Sequence, residues 1–139
     1  MPFGEIMATP NLYHFGPFLI PATQVFWEGL WTYALVNLRP VTPGHVLVVP
    51  KRVIPHFTDL TPSELHELMD ASARISALLA QGRSTIAIQD GADAGQSVPH
   101  LHVHVVPYTG TALAPDACRK DRTSEDMAEE ARRYRGLMA

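Results

Sequence analysis

One run in residues 91–108, GADAGQSVPHLHVHVVPY, leaves little choice of backbone. His100, His102 and His104 alternate with Leu101, Val103 and Val105, and Pro99 and Pro107 bound the run. Strict two-residue alternation of this kind predicts a half-buried β-strand. Positions i, i+2 and i+4 of a strand share one face, so three imidazoles stand in a row while the aliphatic side chains turn to the core. The apolar face already supplies the packing. Histidines on the other face, expected to meet solvent, therefore need a chemical reason.

The 139-residue chain suits one domain around a real core. A net charge of −3 argues against a general nucleic-acid binder and gives no electrostatic pull toward membranes. Cys118 is the single cysteine, which excludes an intrachain disulfide and suits a reducing compartment. With no signal pattern and no apolar run of membrane-spanning length, the expectation is a soluble cytoplasmic or nuclear protein.

In chain order, residues 1–13 read as a loose arm, and 15–20 (FGPFLI) as a short edge strand, since a central strand tolerates Pro17 poorly. Residues 24–28 and 32–38 are two strands joined around Gly29, and 45–51 is a third after the turn-forming RPVTPG. Together these suggest an antiparallel meander. Residues 61–80 form the clearest helix: Thr61 caps it, Pro62 suits its first turn, and Glu64 completes a capping box. Leu65, Leu68, Met69, Ile75, Leu78 and Leu79 are its expected buried stripe, with His66 off that stripe in solvent. Gly82 ends the helix and 83–89 returns as a strand. Residues 109–121 read as a flexible loop. A second helix over 123–137 has acids early and arginines late, buried along Met127, Ala131, Tyr134 and Met138.

Three imidazoles in a row fit two chemistries. His-x-His can place two nitrogens on one zinc ion, but His100 and His104 would lie about 13 Å apart on an extended strand. No cysteine pair or His-Glu-x-x-His supplies the missing ligands, so zinc is the weaker reading. The other is nucleophilic catalysis at phosphorus. Neutral imidazole attacks, and a neighbouring ring protonates or neutralises an oxygen. Gly91 and Gly95 bracket a loop whose backbone can approach a phosphate, with Gln96 and Ser97 as side-chain donors; a plain tight turn would use the same glycines.

GQSVPHLHVHVVP resembles the signature of the histidine triad superfamily of nucleotidyl hydrolases and transferases. FGPFLI, YALVNLRPVTPGHVLVVP, DLTPSEL and QDGADAGQSVPHLHVHVVP resemble successive blocks of its fragile-histidine-triad (Fhit) branch, and RTSEDMAEEA that branch's C-terminal helix. The resemblance implies an α+β fold with a five-stranded antiparallel sheet, a long helix packed on it, a C-terminal helix, and a homodimer with a continuous sheet. It also implies hydrolysis of diadenosine triphosphate to AMP and ADP. His102 would be the nucleophile that carries the adenylyl group. His104 would bond phosphate or leaving-group oxygens, and His100 would support the nucleophile from behind. Gln89, Gln96 and Ser97 would contact phosphates and Asn37 the ribose; Phe15, Ile20, Leu35 and Leu47 would line the purine slot, and His45 would back the histidine row. The protein would bind no cofactor of its own, though Mg or Mn ions could accompany the substrate phosphates.

Plainer roles compete for some of these residues. Phe15, Ile20, Leu35 and Leu47 would be core in any sheet protein, Asn37 suits a turn, and His45 could cap a strand. Tyr108 stands where the family usually has Arg, and the 109–121 loop is shorter than in animal Fhit proteins and lacks tyrosine, so contacts from that region do not carry over. Two alternatives share the fold: a Hint-like nucleoside phosphoramidase using the same His102, and a nucleotide-sensing module with slow turnover.

Overall fold

A computed structural model describes residues 13–107 and 120–139. Its main sheet is antiparallel throughout, with five strands in the order β3-β4-β5-β7-β6. These are β3 (Val25–Glu28), β4 (Thr32–Val36), β5 (Val46–Pro50), β6 (Ser84–Ile88) and β7 (Val103–Pro107). The first three make the expected meander. The long helix α1 (Pro62–Ala80) then carries the chain to the sheet's far edge, and β7 returns between β5 and β6. A C-terminal helix, α2 (Ser124–Met138), completes the described chain.

The FGPFLI segment departs from expectation. It belongs to a separate hairpin of β1 (Tyr13–Phe15) and β2 (Phe18–Ile20), not to an edge of the main sheet. Phe15 pairs with Phe18, leaving Gly16 and Pro17 as the two turn residues; Gly16 adopts a left-handed φ of 59°. Proline was the right clue to a missing ladder donor, but it marks a turn here.

α1 begins as its sequence requires. The Glu64 amide donates to Thr61 Oγ1 at 3.2 Å, and the Thr61 amide donates to Glu64 Oε1 at 2.9 Å. Such a cap is worth about 1 kcal/mol. Arg52, just beyond β5, also donates to the Glu64 carboxylate (2.8 Å), so one acid caps the helix and ties it to the sheet. The buried stripe is narrower than expected: Leu68 and Ile75 are sealed, whereas Leu65 and Leu78 are exposed. Ala71, Ser72 and Ser76 take the intervening contact positions, because small residues let the helix lie close to the sheet. Burying a Leu68 or an Ile75 contributes about 1.5–3 kcal/mol each. α2 buries Met127, Ala131 and Tyr134 as expected, with Met138 partly buried; Glu130 joins them and bonds the Tyr134 hydroxyl and Arg122.

Alternation sorts the sheet into two faces. Ala34, Val36, Val46, Val48, Val103 and Val105 meet the two helices in one core. Tyr33, Leu35, Leu47 and Val49 point the other way and pack with Tyr13, Phe15 and Val25. That second face is covered by the β1–β2 hairpin, not left to solvent, and this decides where the histidines lie. Of the expected loose arm (1–13) only Tyr13 is described, and it opens β1 as a buried residue; Tyr108 and residues 109–119 of the expected loop (109–121) fall outside the described residues. Among the described residues, no helix is long and apolar enough to cross a membrane.

Candidate active site

The histidine run is less of a strand than its alternation predicts. β7 starts only at Val103, so His104 alone of the three lies within it. Ahead of it, the His100 amide bonds Val98 O (2.7 Å) and the Leu101 amide bonds Ile54 O (2.7 Å), which replaces ladder pairing. Pro99 supplies no donor. The side chains still alternate: Leu101 joins the helix-side core, while His100, His102 and His104 go to the other face.

Nor are the imidazoles exposed. His100 is 0% accessible and His102 and His104 are 4% each, so the expected solvent-facing row is instead a buried cluster. Buried imidazoles need hydrogen-bond partners, and those partners fix where each proton sits. The Gly16 amide donates to His100 Nδ1 (2.8 Å), so His100 carries its proton on Nε2 and donates it to Pro50 O (2.8 Å). Burial pushes the His100 pKa below the ordinary histidine value, with Pro50 O opposing the shift and the nearby His102 adding to it. His102 Nδ1–H donates to the His100 carbonyl at 2.7 Å. The neutral ring therefore keeps its lone pair on Nε2, the nitrogen that can attack.

A second chain of bonds starts in the backbone. The Val41 amide donates to His45 Nδ1 at 2.9 Å, which leaves the His45 proton on Nε2, 3.0 Å from His104 Nδ1. His104 in turn presents Nε2–H to Gln89 Oε1 at 3.1 Å. Val41, His45, His104 and Gln89 are thus aligned donor to acceptor. His45, expected as a supporting residue, is fully buried beside the row, its ring centre 5.2 Å from that of His104. The His102 and His104 ring centres are 4.8 Å apart, and the Phe15 ring meets His102 edge-on at 4.9 Å.

The slot expected from Phe15, Ile20, Leu35 and Leu47 is present as a cavity of about 450 Å³ lined by all four, with Asn37 and Ser97 also on its wall. It adjoins the imidazoles, since Phe15 touches His102 and Leu47 pairs across the strands with His104. Asn37 accepts the Arg39 amide on Oδ1 (3.2 Å) and places its Nδ2 donor 3.3 Å from His45 Nδ1, the nitrogen that carries the lone pair. Its turn role and its place at the slot coexist. Gln96 Nε2 donates to Pro55 O at 2.8 Å, so its amide braces the loop in this state. Gly95 takes φ 96°, and a Cβ there would come within 2.5 Å of Gln89 Nε2; only glycine lets the loop wrap that amide. His66 stands exposed on α1, and His56 pairs with Asp90 (3.0 Å), away from the cluster. The sequence reading did not single out Gln24 and Met127 as slot residues. Gln24 carries no signal in the sequence beyond opening a strand, and Met127 none beyond a buried helix stripe.

A buried imidazole with a fixed tautomer and a lone pair on Nε2, a second imidazole beside it and an apolar slot next to both make an arrangement chemically capable of group transfer. The HIT domain family model matches residues 20–111. The nitrilase and fragile histidine triad fusion protein NitFhit of Caenorhabditis elegans is 41% identical over 140 residues, covering 89% of this chain and 32% of that protein. The bifunctional bis(5'-adenosyl)-triphosphatase/adenylylsulfatase FHIT of Arabidopsis thaliana is 37% identical over 158 residues, covering 96% of this chain and 88% of that protein. Among solved structures, C. elegans NitFhit superposes with a TM-score of 0.82 at 42% identity, covering 94% of this chain and 31% of that one. Plasmodium falciparum diadenosine triphosphate hydrolase, in complex with cyclomarin A, gives 0.74 at 29% identity, covering 94% and 86%. The chain thus spans about a third of the worm fusion protein and most of the plant and Plasmodium proteins. It belongs to the HIT domain family, in the fragile-histidine-triad branch.

Proposed function

We propose that this protein hydrolyses dinucleoside polyphosphates, diadenosine triphosphate to AMP and ADP first among them, through an adenylyl-histidine intermediate on His102. The observation that carries this reading is the fixed tautomer of His102: Nδ1–H is held by His100 O, which directs the Nε2 lone pair to attack. The plant FHIT relative, named as a bis(5'-adenosyl)-triphosphatase, supports the substrate class.

In the first step His102 Nε2 bonds to the α-phosphorus and the bond to the leaving ADP oxygen breaks. The imidazolium that forms keeps its Nδ1–H on the His100 carbonyl, which offsets its charge. His104 lies on the adjoining position with its proton on Nε2, ready for a phosphoryl or leaving-group oxygen in place of Gln89 Oε1. Gln89, released from His104, would offer its amide to the same phosphates. Water then attacks phosphorus, breaks the N–P bond and releases AMP. Gln96 and Ser97, on the loop before the triad, would meet the distal phosphates, and Asn37 the ribose. Mg²⁺ or Mn²⁺ would arrive with the polyphosphate as part of the substrate.

The active form would be a homodimer with a sheet continuous across β6. Among the described residues β6 pairs with β7 on one side only, and Ile86 on it and Leu78 on α1 are exposed apolar side chains (48% and 45%). An open strand edge flanked by apolar surface favours pairing with another chain. Sedimentation at micromolar concentration should give a dimer; a monomer at every concentration sinks this part.

The test is to incubate the wild type and His102→Asn with diadenosine triphosphate, diadenosine tetraphosphate and an adenosine phosphoramidate, and to quantify AMP. AMP with ADP from the triphosphate, lost in the variant, is the expected outcome. Preference for the phosphoramidate moves the protein to phosphoramidase chemistry. Turnover of none leaves a nucleotide-binding module.

A further inference from the structure

The slot wall holds one side chain that the chemistry at phosphorus leaves unused. Gln24 ends the short 3-10 turn Ala22–Gln24, is more than nine-tenths buried, and lines the slot together with Phe15, Ile20, Leu35 and Leu47. Its backbone is held from two directions. The Gln24 amide donates to Pro21 O at 2.9 Å. From α2, Arg135 donates Nε to Val25 O (3.0 Å) and Nη2 to Thr23 O (2.9 Å) and Ala22 O (3.4 Å), a clamp over the residues on both sides of Gln24. Yet among the described residues the Gln24 side-chain amide has no hydrogen-bond partner.

That combination is unusual. The amide is not sealed in the core but meets the open space of the slot, so its donor and acceptor stay available to whatever enters, where a leucine would fill the same volume with neither. The other polar groups of the wall do not share the feature. Asn37 is engaged with His45 Nδ1 and the Arg39 amide, and Ser97 is exposed. Gln24 is therefore a rigidly placed donor–acceptor pair in an apolar slot, the arrangement of a pocket that reads a heteroaromatic edge.

We propose that Gln24 is the base-reading residue of this slot, its carbonyl accepting from the 6-amino group of adenine and its NH₂ donating to the adjacent ring nitrogen. The inference rests on the dinucleotide reading above and names the base that site selects. A glutamine amide sets one acceptor beside one donor, the complement of adenine's amino group and neighbouring nitrogen. Guanine could turn the amide round, but would carry a further amino or carbonyl group into an apolar wall with no partner for it. A base lacking the 6-amino group would leave the Gln24 carbonyl unsatisfied, the kind of loss by which a hydrogen-bonding pocket rejects analogues.

The experiment measures kcat and KM separately for wild type, Gln24→Leu and Gln24→Glu on symmetrical dinucleoside triphosphates of adenosine, guanosine and purine riboside. The wild type should favour adenosine over purine riboside by about tenfold or more, chiefly in KM. Gln24→Leu should raise KM for adenosine by a similar factor, bring the two substrates close to parity, and leave kcat and melting temperature near or above wild type. Gln24→Glu offers two acceptors and should turn the preference toward guanosine, whose N1–H and 2-amino group are both donors. If Gln24→Leu keeps the wild-type ratio, or loses kcat on all three substrates together with a lower melting temperature, Gln24 is structural and the inference falls. If the wild type cleaves none of the three, the hydrolase reading fails by itself. Calorimetric affinities of AMP and purine riboside 5'-monophosphate for wild type and Gln24→Leu then decide the role of Gln24 by the same ratio.

Discussion

The two faces of the main sheet are both buried, but they are filled in different ways. Toward the helices, Ala34, Val36, Val46, Val48, Val103 and Val105 meet Leu68, Ala71, Ile75 and Ala131, and the space is closed by aliphatic atoms. Toward the β1–β2 hairpin, Leu35, Leu47 and Val49 share the surface with His45, His100, His102 and His104, and about 450 Å³ stays open beside them. Every one of those histidines is under 5% accessible, so exposure does not distinguish site from core in this protein. Bonding does. Helix-side residues are held by packing, which tolerates a change of shape at a graded cost. The imidazoles are held by directional bonds that set a proton on a chosen nitrogen, and losing one alters chemistry before it alters stability.

The sharpest way to break this comparison is His102→Asn. Asparagine can still donate to His100 O but has no nucleophilic nitrogen, so turnover should fall at least ~10³-fold with the fold retained. A melting-temperature loss as large as the rate loss would mean that the imidazole face is core after all. The matching change on the other face is Leu68→Ala. A fully buried leucine under the helix should cost about 2.7–5 kcal/mol in denaturant unfolding, while kcat of the molecules that remain folded stays close to wild type. A collapse of kcat in that variant would show that the faces are not separable.

His45→Leu tests whether the bonded chain from Val41 matters as a chain. The substitution removes both the acceptor for the Val41 amide and the donor to His104 Nδ1. Leaving a buried group unsatisfied costs about 1–3 kcal/mol. If that cost appears in the transition state, kcat falls about 10- to 100-fold with KM little changed. An equal loss of binding and turnover would instead mark His45 as a wall of the slot.

Much of this arrangement was legible in the sequence, and the misses share a cause. Strong local signals carried: the Thr61–Glu64 capping box, the meander of β3 to β5, and the stripe Met127, Ala131, Tyr134 all appear where the pattern places them. Phe15, Ile20, Leu35 and Leu47 reached the slot through the family resemblance, because periodicity alone cannot tell a slot wall from a core. What failed depends on the third dimension. Alternation places the histidines on one face but cannot know that a hairpin lies over it, so burial was misjudged. It also cannot know that Ile54 O would take the Leu101 amide and shorten β7. Leu65 and Leu78 were over-read as buried because hydrophobicity does not report how close a helix sits to its sheet. Gln24 carried no pattern at all: its meaning comes from the wall around it.

The smallest expected effect concerns His100, whose two nitrogens are both bonded to backbone groups. Its neutral form accepts from Gly16 and donates to Pro50, and burial holds its pKa below the ordinary 6.5. A proton added to Nδ1 would have to displace the Gly16 donor, and with it the hairpin that covers the slot. In the unfolded chain the same ring takes up a proton near pH 6.5 without penalty. Between the two pKa values the unfolded state therefore binds more protons than the folded one, and stability rises with pH. The contribution is fully present above about pH 6.5 and is lost as pH falls from there toward the folded-state value. Melting temperatures of wild type and His100→Gln, followed from about pH 7.5 down to 5, should show the steeper fall in the wild type, since the amide does not titrate. Because Gly16 anchors the hairpin whose Phe15 touches His102, the same acid range should also weaken substrate binding in the wild type. Parallel slopes in the two proteins would mean that the sealed and the bonded face respond to acid alike, and that the backbone bonds on His100 only position it.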